Sequence, residues 1–356
     1  MRIRSYEAVS VDLPLREGYR IAGQRITFVR NVLLRLETES GLRGYGSAAP
    51  AGDVCGESDD ACLQALRGPL RKLALGAEVG PDPSPLSEEA LHSAPACPAA
   101  RAALDMALWD LAAREVGVPL VRLWGGELRP LPTSVTIGIC SVQDTLEAGR
   151  RWIEQGFQIL KVKIGEEVEL DIERLRRLRA VLGPEVTLRV DGNQGYTIEA
   201  ARALLRGAAD LNLEMFEQPL DARDLDGMAE LRRESQVPIV ADESARSADE
   251  AGAIIDRHAA HGINIKLMKC GGPSQARVIH DRAHAAGLSL MLGCNDETRV
   301  SIAAAAHLSV ALPGVVYADL DGHMDLSHDP ASGGFEIRDG SLHLDDRPGL
   351  GVDVEL

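Results

Sequence analysis

From Thr133 onward, short β-branched runs alternate with amphipathic helical stretches, and this rhythm limits the fold more than any other feature of the chain. The strand runs sit near Thr136, Val162, Val190, Phe216, Val240, Ile265, Met291 and Val316, about 25 residues apart, the length of a strand, a helix and two loops. Helical stretches such as Asp171 to Val181 and Ile198 to Leu205 fill the intervals. Eight such units predict a parallel α/β structure, a closed (β/α)8 TIM-type barrel, with a doubly wound open sheet as the structural alternative.

The chain of 356 residues leaves room for a second unit before the barrel. Ile3 to Leu13 and Ile26 to Glu37 read as strands, the second ending at Ser40-Gly41. Ala100 to Val116 reads as a helix, with Leu104, Leu108 and Leu111 at helical spacing and Gly117 and Pro119 as stop signals. Pro81 to Pro85 is a loop that cannot continue a helix. After Asp329-Pro330, the segments Gly334 to Ile337 and Ser341 to Leu344 predict a hairpin around Asp339-Gly340, with the tail packing back on the N-terminal α+β unit.

A net charge of −16 argues against nucleic acid as a partner, because phosphate binding needs concentrated Lys and Arg. It leaves an anionic small molecule open, since a few buried lysines can govern a pocket in an acidic protein. The six cysteines (Cys55, Cys62, Cys97, Cys140, Cys270 and Cys294) show no metal spacing and read as reduced thiols. No apolar run approaches the roughly 20 residues of a membrane helix, and Met1 to Leu15 lacks the apolar core of a signal peptide, so a cytoplasmic protein is expected. Association into a homo-oligomer is left open.

Barrel interiors favour Val, Ile and Leu, so ionisable residues repeated at strand ends call for a reason. Asp191, Glu217 and Asp242 each end one of three consecutive strand runs. Neighbouring strands lie about 4.8 Å apart, so these carboxylates can converge on one ion, and an all-oxygen set suits Mg²⁺, or alternatively Mn²⁺. Helix caps or loop salt bridges are the structural alternative. Lys161 and Lys163 share a face on the second strand by the period of two, and Lys266 lies on the sixth, across the barrel mouth from Lys163. A carbon acid bound between two amines would lose a proton on one face and gain one on the other. Mg²⁺ on the substrate carboxylate would stabilise the enediolate, with Lys161 adding positive charge. Mutual repulsion and the metal are expected to lower the lysine pKa values. Lys269, three positions on, is expected to face away in a structural role.

These residues resemble the enolase superfamily, specifically its muconate-lactonising subgroup, across essentially the whole chain. The resemblance rests on Lys161-Val-Lys163, Val190-Asp-Gly-Asn-Gln-Gly195, Glu217-Gln-Pro219, Ala241-Asp-Glu-Ser244, Ile265-Lys266-Leu-Met-Lys-Cys-Gly-Gly272 and Gly293-Cys-Asn-Asp-Glu297. It implies Mg²⁺ on Asp191, Glu217 and Asp242, acid/base roles for Lys163 and Lys266, and a modified, enolase-like barrel capped by the N-terminal unit. The organisation expected is 1–122 as cap, 123–328 as barrel and 329–356 as a tail completing the cap.

Asp319-Leu-Asp321 near the eighth strand is similar to the dipeptide epimerase motif, in which two carboxylates receive a substrate α-ammonium group, with Thr136 of Ser134-Val-Thr136 nearby. Side-chain specificity is expected from the capping loops, Glu17 to Arg25 and Ala48 to Ser58, and from the seventh strand. Epimerases of acidic dipeptides carry a capping-loop arginine where this chain has Gln24, with Arg25 beside it. Asp296 and Asp53 are candidates to meet a cationic or polar side chain instead. The resemblance leaves N-acylamino-acid racemisation, cycloisomerisation and dehydration as alternatives, and a noncatalytic metal-binding scaffold as a remote one.

Overall fold

A computed structural model describes residues 1–356 apart from Gly23, Asp53 and the side chain of Gln24. Strands β1 (Ile3–Ile21), β2 (Gln24–Thr38) and β3 (Arg43–Ala48) form an antiparallel sheet in the order β1-β2-β3. Val32, Leu34 and Leu36 alternate toward the core, and β2 and β3 pack on the helix Pro98–Val116, whose residues 98–113 are all buried. That helix stops at Gly117, which takes the left-handed conformation expected of a C-terminal glycine.

The β1–β2 hairpin runs further than local sequence suggests. Tyr19–Ile21 and Gln24–Ile26 are paired strand where a capping loop was expected. The cause is tertiary: Ile139 N donates to Arg20 O at 2.7 Å and Arg20 pairs with Glu166 at 2.6 Å, so the tip is held against the barrel mouth.

After the short strand β4 (Leu131–Pro132) come the eight parallel strands β5 (Val135–Ile137), β6 (Ile159–Lys163), β7 (Thr187–Asp191), β8 (Leu213–Glu217), β9 (Ile239–Ala241), β10 (Gly262–Lys266), β11 (Ser289–Gly293) and β12 (Val315–Asp319). Helices Val142–Glu154, Ile198–Gly207, Leu225–Glu234 and Ala248–Asp256 each begin at a Ser, Thr or Asp side chain that accepts an amide of the first turn. Among the described residues no helix follows β12; the three-stranded sheet of β4, Phe335–Arg338 and Ser341–Leu344 covers that flank. Its hairpin turns at Asp339 (φ 48°) and Gly340 (φ 68°), both left-handed as a two-residue type I′ turn requires. The tail returns to the cap, with Leu120 N donating to Gly349 O at 2.8 Å and Leu350 N to Asp110 Oδ1 at 2.7 Å.

Ladders join β5 through β12 in sequence, but β12 and β5 stand at the two ends of the sheet. They meet through one backbone bond, Ser134 N to Ala318 O at 3.1 Å. Among the described residues no helix is long and apolar enough to cross a membrane.

Candidate active site

Strand register sorts the barrel interior into layers. Side chains repeat every second residue, and pairing aligns Lys161 with Arg189 and Arg189 with Met215, while Asn264 aligns with Met291 and Met291 with Tyr317. The layer above runs Lys163, Asp191, Glu217 on one side and Lys266, Gly293, Asp319 on the other, at the carboxyl ends of the strands. Met215, Val240 and Met291, with Tyr317 against them, form a small apolar plug beneath this ionic layer. Gly293 is needed there: a Cβ would lie 2.6 Å from Asn264 Oδ1, and Asn264 Nδ2 donates to Glu217 Oε1 at 2.9 Å.

Asp191, Glu217 and Asp242 are fully buried. Among the described residues they are not closed into a ready-made chelate; each is turned to a lysine. Lys161 Nζ lies 3.0 Å from Asp191 Oδ2, 2.8 Å from Glu217 Oε2 and 2.8 Å from Asp319 Oδ2. Lys163 Nζ is 2.8 Å from Asp191 Oδ2, and Lys266 Nζ is 2.9 Å from Asp242 Oδ2. Lys161 thus reaches up from the lower layer and joins two of the three carboxylates to Asp319.

Lys269 does not face away as expected. It is buried, bonds Asp242 through both the carboxylate and the backbone carbonyl, and donates to Asn264 O at 3.0 Å. The short helix Leu267–Cys270 directly after β10 turns it back inward.

The trio fits a divalent cation. Its donors are all oxygen, Lys161 already bridges two of them, and the buried Glu217 Oε2 and Asp242 Oδ2 each face a cation, the ammonium groups of Lys161 and Lys266. Burial would push Asp191 up, but Lys161 and Lys163 hold its carboxyl down at about 2. Burial also opposes ionisation of Asp242, and Lys266 and Lys269 hold it below the usual carboxylate range. Glu217 is pushed up to about 7 by burial and by Asp191.

The lowered lysine pKa values were expected from mutual repulsion and a bound metal; in the protein without the metal, two of the lysines are shifted the other way. Burial favours the neutral amines, but Asp191, Asp319 and Glu217 hold Lys161 well above its usual range, and Asp242 does the same for Lys266. Carboxylates, not lysines, dominate the field of this layer.

Residues 144–355 match the family described as enolase C-terminal domain-like, and residues 5–125 match the mandelate racemase / muconate lactonizing enzyme N-terminal domain. The chain belongs to the enolase superfamily. It is similar to the L-Lys-D/L-Arg epimerase of Methylococcus capsulatus, 44% identical over 353 residues with 99% of each chain covered. A crystal structure of the dipeptide epimerase from that organism, complexed with Mg and the dipeptide L-Arg-D-Lys, superposes over 100% of both chains with a TM-score of 0.95 at 42% identity. A substrate-liganded L-Ala-D/L-Glu epimerase from Bacillus subtilis superposes over 100% of both with a TM-score of 0.94 at 32% identity.

In this superfamily member a cleft of about 1000 Å³ opens over the ionic layer, between the β1–β2 hairpin and the barrel mouth. Lys161, Lys163, Lys266, Thr136, Asp296, Asp319 and Asp321 all line it. Ser134 Oγ donates to Asp319 Oδ1 at 2.6 Å, and Thr136 N donates to Asp321 Oδ2 at 2.6 Å, so both carboxylates lean on β5. Burial and then Asp319 raise Asp321 to about 7. Asp296 lines the cleft and accepts a hydrogen bond from Tyr19, its carboxyl raised to about 6 by burial. Asp53 and the Gln24 side chain, both expected to contact substrate, lie outside the described residues.

Sequence reasoning missed Tyr19, Asn264 and Asp325 in this cleft region. Asn264 was legible in principle, two positions before Lys266 on the same strand face. Asp325, raised to about 8 by burial and by Asp321 and Asp296, comes from a loop whose path only the tertiary fold defines.

Proposed function

We propose that this chain is a Mg²⁺-dependent dipeptide epimerase that inverts the carbon next to the substrate carboxylate by a two-lysine 1,1-proton transfer. The observation carrying this reading is the common ionic layer, in which Lys163 and Lys266 sit on strands β6 and β10 with Asp191, Glu217 and Asp319 between and beside them. Asp191, Glu217 and Asp242 would hold Mg²⁺, with Mn²⁺ as the substitute; when bound, the cation offsets the carboxylates' charge, eases lysine deprotonation and polarises the substrate carboxylate.

The chain's own groups do the rest. One lysine, as the free amine, removes the α-proton; the other, as ammonium, returns a proton to the opposite face. The formula is unchanged and the configuration inverts. Asp319 and Asp321 receive the substrate ammonium group, and Thr136 fixes Asp321 through its amide. Lys161, buried beneath, keeps Asp191, Glu217 and Asp319 from repelling one another. The buried lower layer keeps water from beneath the reacting carbon.

Within this reading the substrate carries cationic side chains. Support comes from the likeness to the L-Lys-D/L-Arg epimerase and from the acidic lining of the cleft, where Asp296 and Asp325 lie near Asp321. N-acylamino-acid racemisation has a relative too, the N-succinyl-L-Arg/Lys racemase of Bacillus cereus at 28% identity. An acylated nitrogen carries no charge for Asp319 and Asp321 to receive, which favours the dipeptide. The same reading takes 1–122 as cap, 123–328 as barrel and 329–356 as the completing tail, in a cytoplasmic enzyme.

The test is α-proton exchange in D₂O with Lys-Arg dipeptides of both configurations, followed by mass spectrometry. Lys163→Ala and Lys266→Ala should each lose epimerisation by at least about 10²-fold and keep exchange with one epimer at most. Full epimerisation by either variant rules out the two-base mechanism.

A further inference from the structure

Arg189 is one of the few charged side chains of the lower interior layer, two residues before Asp191 on β7 and only 2% exposed. Its guanidinium crosses to the other side of the barrel. Nε donates to Glu214 Oε2 at 2.6 Å, while Nη1 donates to Ala318 O at 2.8 Å and to Ser134 Oγ at 3.3 Å. Cζ stands 5.1 Å from the Tyr317 ring centroid, which places the cation over an aromatic face.

The point it reaches is the seam between β12 and β5. Adjacent strands elsewhere in the barrel are joined by ladders, whereas this seam has the single backbone bond from Ser134 N to Ala318 O. Two N–H donors converge on Ala318 O, Ser134 N and Arg189 Nη1, and Arg189 Nη1 also reaches Ser134 Oγ, whose own proton goes to Asp319 Oδ1. Directly above, the same two strand ends hold Asp319 through Ser134 Oγ and Asp321 through Thr136 N, and Leu320 N donates to Thr133 Oγ1 at 2.8 Å.

We infer that Arg189 is a positioning residue for the substrate-ammonium receptor: by pinning Ser134 and Ala318 across the unladdered seam, it sets where Asp319 and Asp321 project. Arg189 is not among the residues that line the cleft. A rigid fork with several donors suits this task, since one planar group bonds both strands and an anchoring carboxylate together. The receptor's role rests on the epimerase reading above; the pinning of the seam does not.

Two measurements on Arg189→Met and Arg189→Lys separate these. The first is amide hydrogen exchange in the full-length protein. The Thr136 and Leu320 amides should exchange at least about 10-fold faster in Arg189→Met, while the Gly192 and Gln218 amides, bonded to Glu217 O and Val240 O, stay within about 2-fold. Arg189→Lys, which keeps the charge but not the fork, should fall between the two and also covers the case that the methionine variant does not fold. The second is steady-state epimerisation of the Lys-Arg dipeptide, where KM should rise about 10-fold and kcat change less than about 3-fold. Uniformly faster exchange at all four amides, unchanged exchange at Thr136 and Leu320, or a loss confined to kcat would overturn the inference. If the wild-type protein exchanges no dipeptide, the epimerase reading falls, and amide exchange alone still decides whether Arg189 pins the seam.

Discussion

The phenol of Tyr19 donates a hydrogen bond to Asp296 Oδ2 at 2.8 Å, tying the tip of the capping hairpin to the loop after β11. One partner comes from each side of the cleft, so this contact bridges the cap and the acidic lining of the cleft.

Asp296 should therefore report on pH. Burial raises its pKa to about 6, against the pull of Tyr19, Lys163 and Lys266. An acid raised on folding stabilises the protein below its unfolded pKa, and that contribution is lost as pH rises through about 6. Asp296→Asn should then be more stable than the parent at pH 8 by up to about 2 kcal/mol, with the gap closing near pH 4. Urea unfolding at the two pH values measures this. For a cationic dipeptide, KM of the parent should rise as pH falls below 6, and the asparagine variant should lose that dependence.

Chelation separates fold from chemistry. Lys161, Lys163, Lys266 and Lys269 already neutralise the carboxylate trio, so EDTA-treated protein should keep its far-ultraviolet circular dichroism and lose α-proton exchange. Restoring Mg²⁺ at a hundredfold excess over Kd should add about 2.7 kcal/mol of stability, read as a rise in Tm. A protein that exchanges substrate protons at full rate in EDTA would contradict the metal assignment.

Removing Lys269 should cost more than its distance from substrate suggests. Its ammonium is enclosed with Asp242, and breaking a buried ion pair from one side costs about 3 kcal/mol or more. Lys269→Met should lower the urea midpoint accordingly, while the exposed Lys72→Met should leave it unchanged.

The turn at Asp339-Gly340 gives a test far from the cleft. A side chain at Gly340 would face both φ 68° and the Phe157 Cα, 2.9 Å from its Cβ. Gly340→Val should destabilise the protein by about 1 to 3 kcal/mol, whereas Asp339→Gly should be nearly neutral.

Much of this site was legible without coordinates because strand geometry has a period of two. Asp191, Glu217 and Lys266 each end a strand run, and the ladder aligns them without further information. What was not legible depends on groups distant in sequence. Lys269 looks outward by simple counting, yet a single short helix returns it to Asp242. The strand at Tyr19–Ile21 owes its extension to Ile139 and Glu166, over a hundred residues away. The direction of the lysine pKa values in the metal-free protein was hidden for a similar reason. Counting lysines predicts mutual repulsion, but the three-dimensional arrangement surrounds Lys161 with Asp191, Glu217 and Asp319.

The two-layer interior also constrains how such an enzyme can diversify. Inserting or deleting one residue within β6, β7 or β10 would exchange inward and outward faces, sending the lysines and carboxylates into the helical shell and aliphatic side chains into the mouth. Where barrel strands do carry an extra residue, Glu214 in β8 and Val316 in β12, the register shift lies below the ionic layer and leaves its alignment intact. The hairpin tip and the mouth loops are free of that constraint, so they can change in length without moving the lysines and carboxylates of the ionic layer.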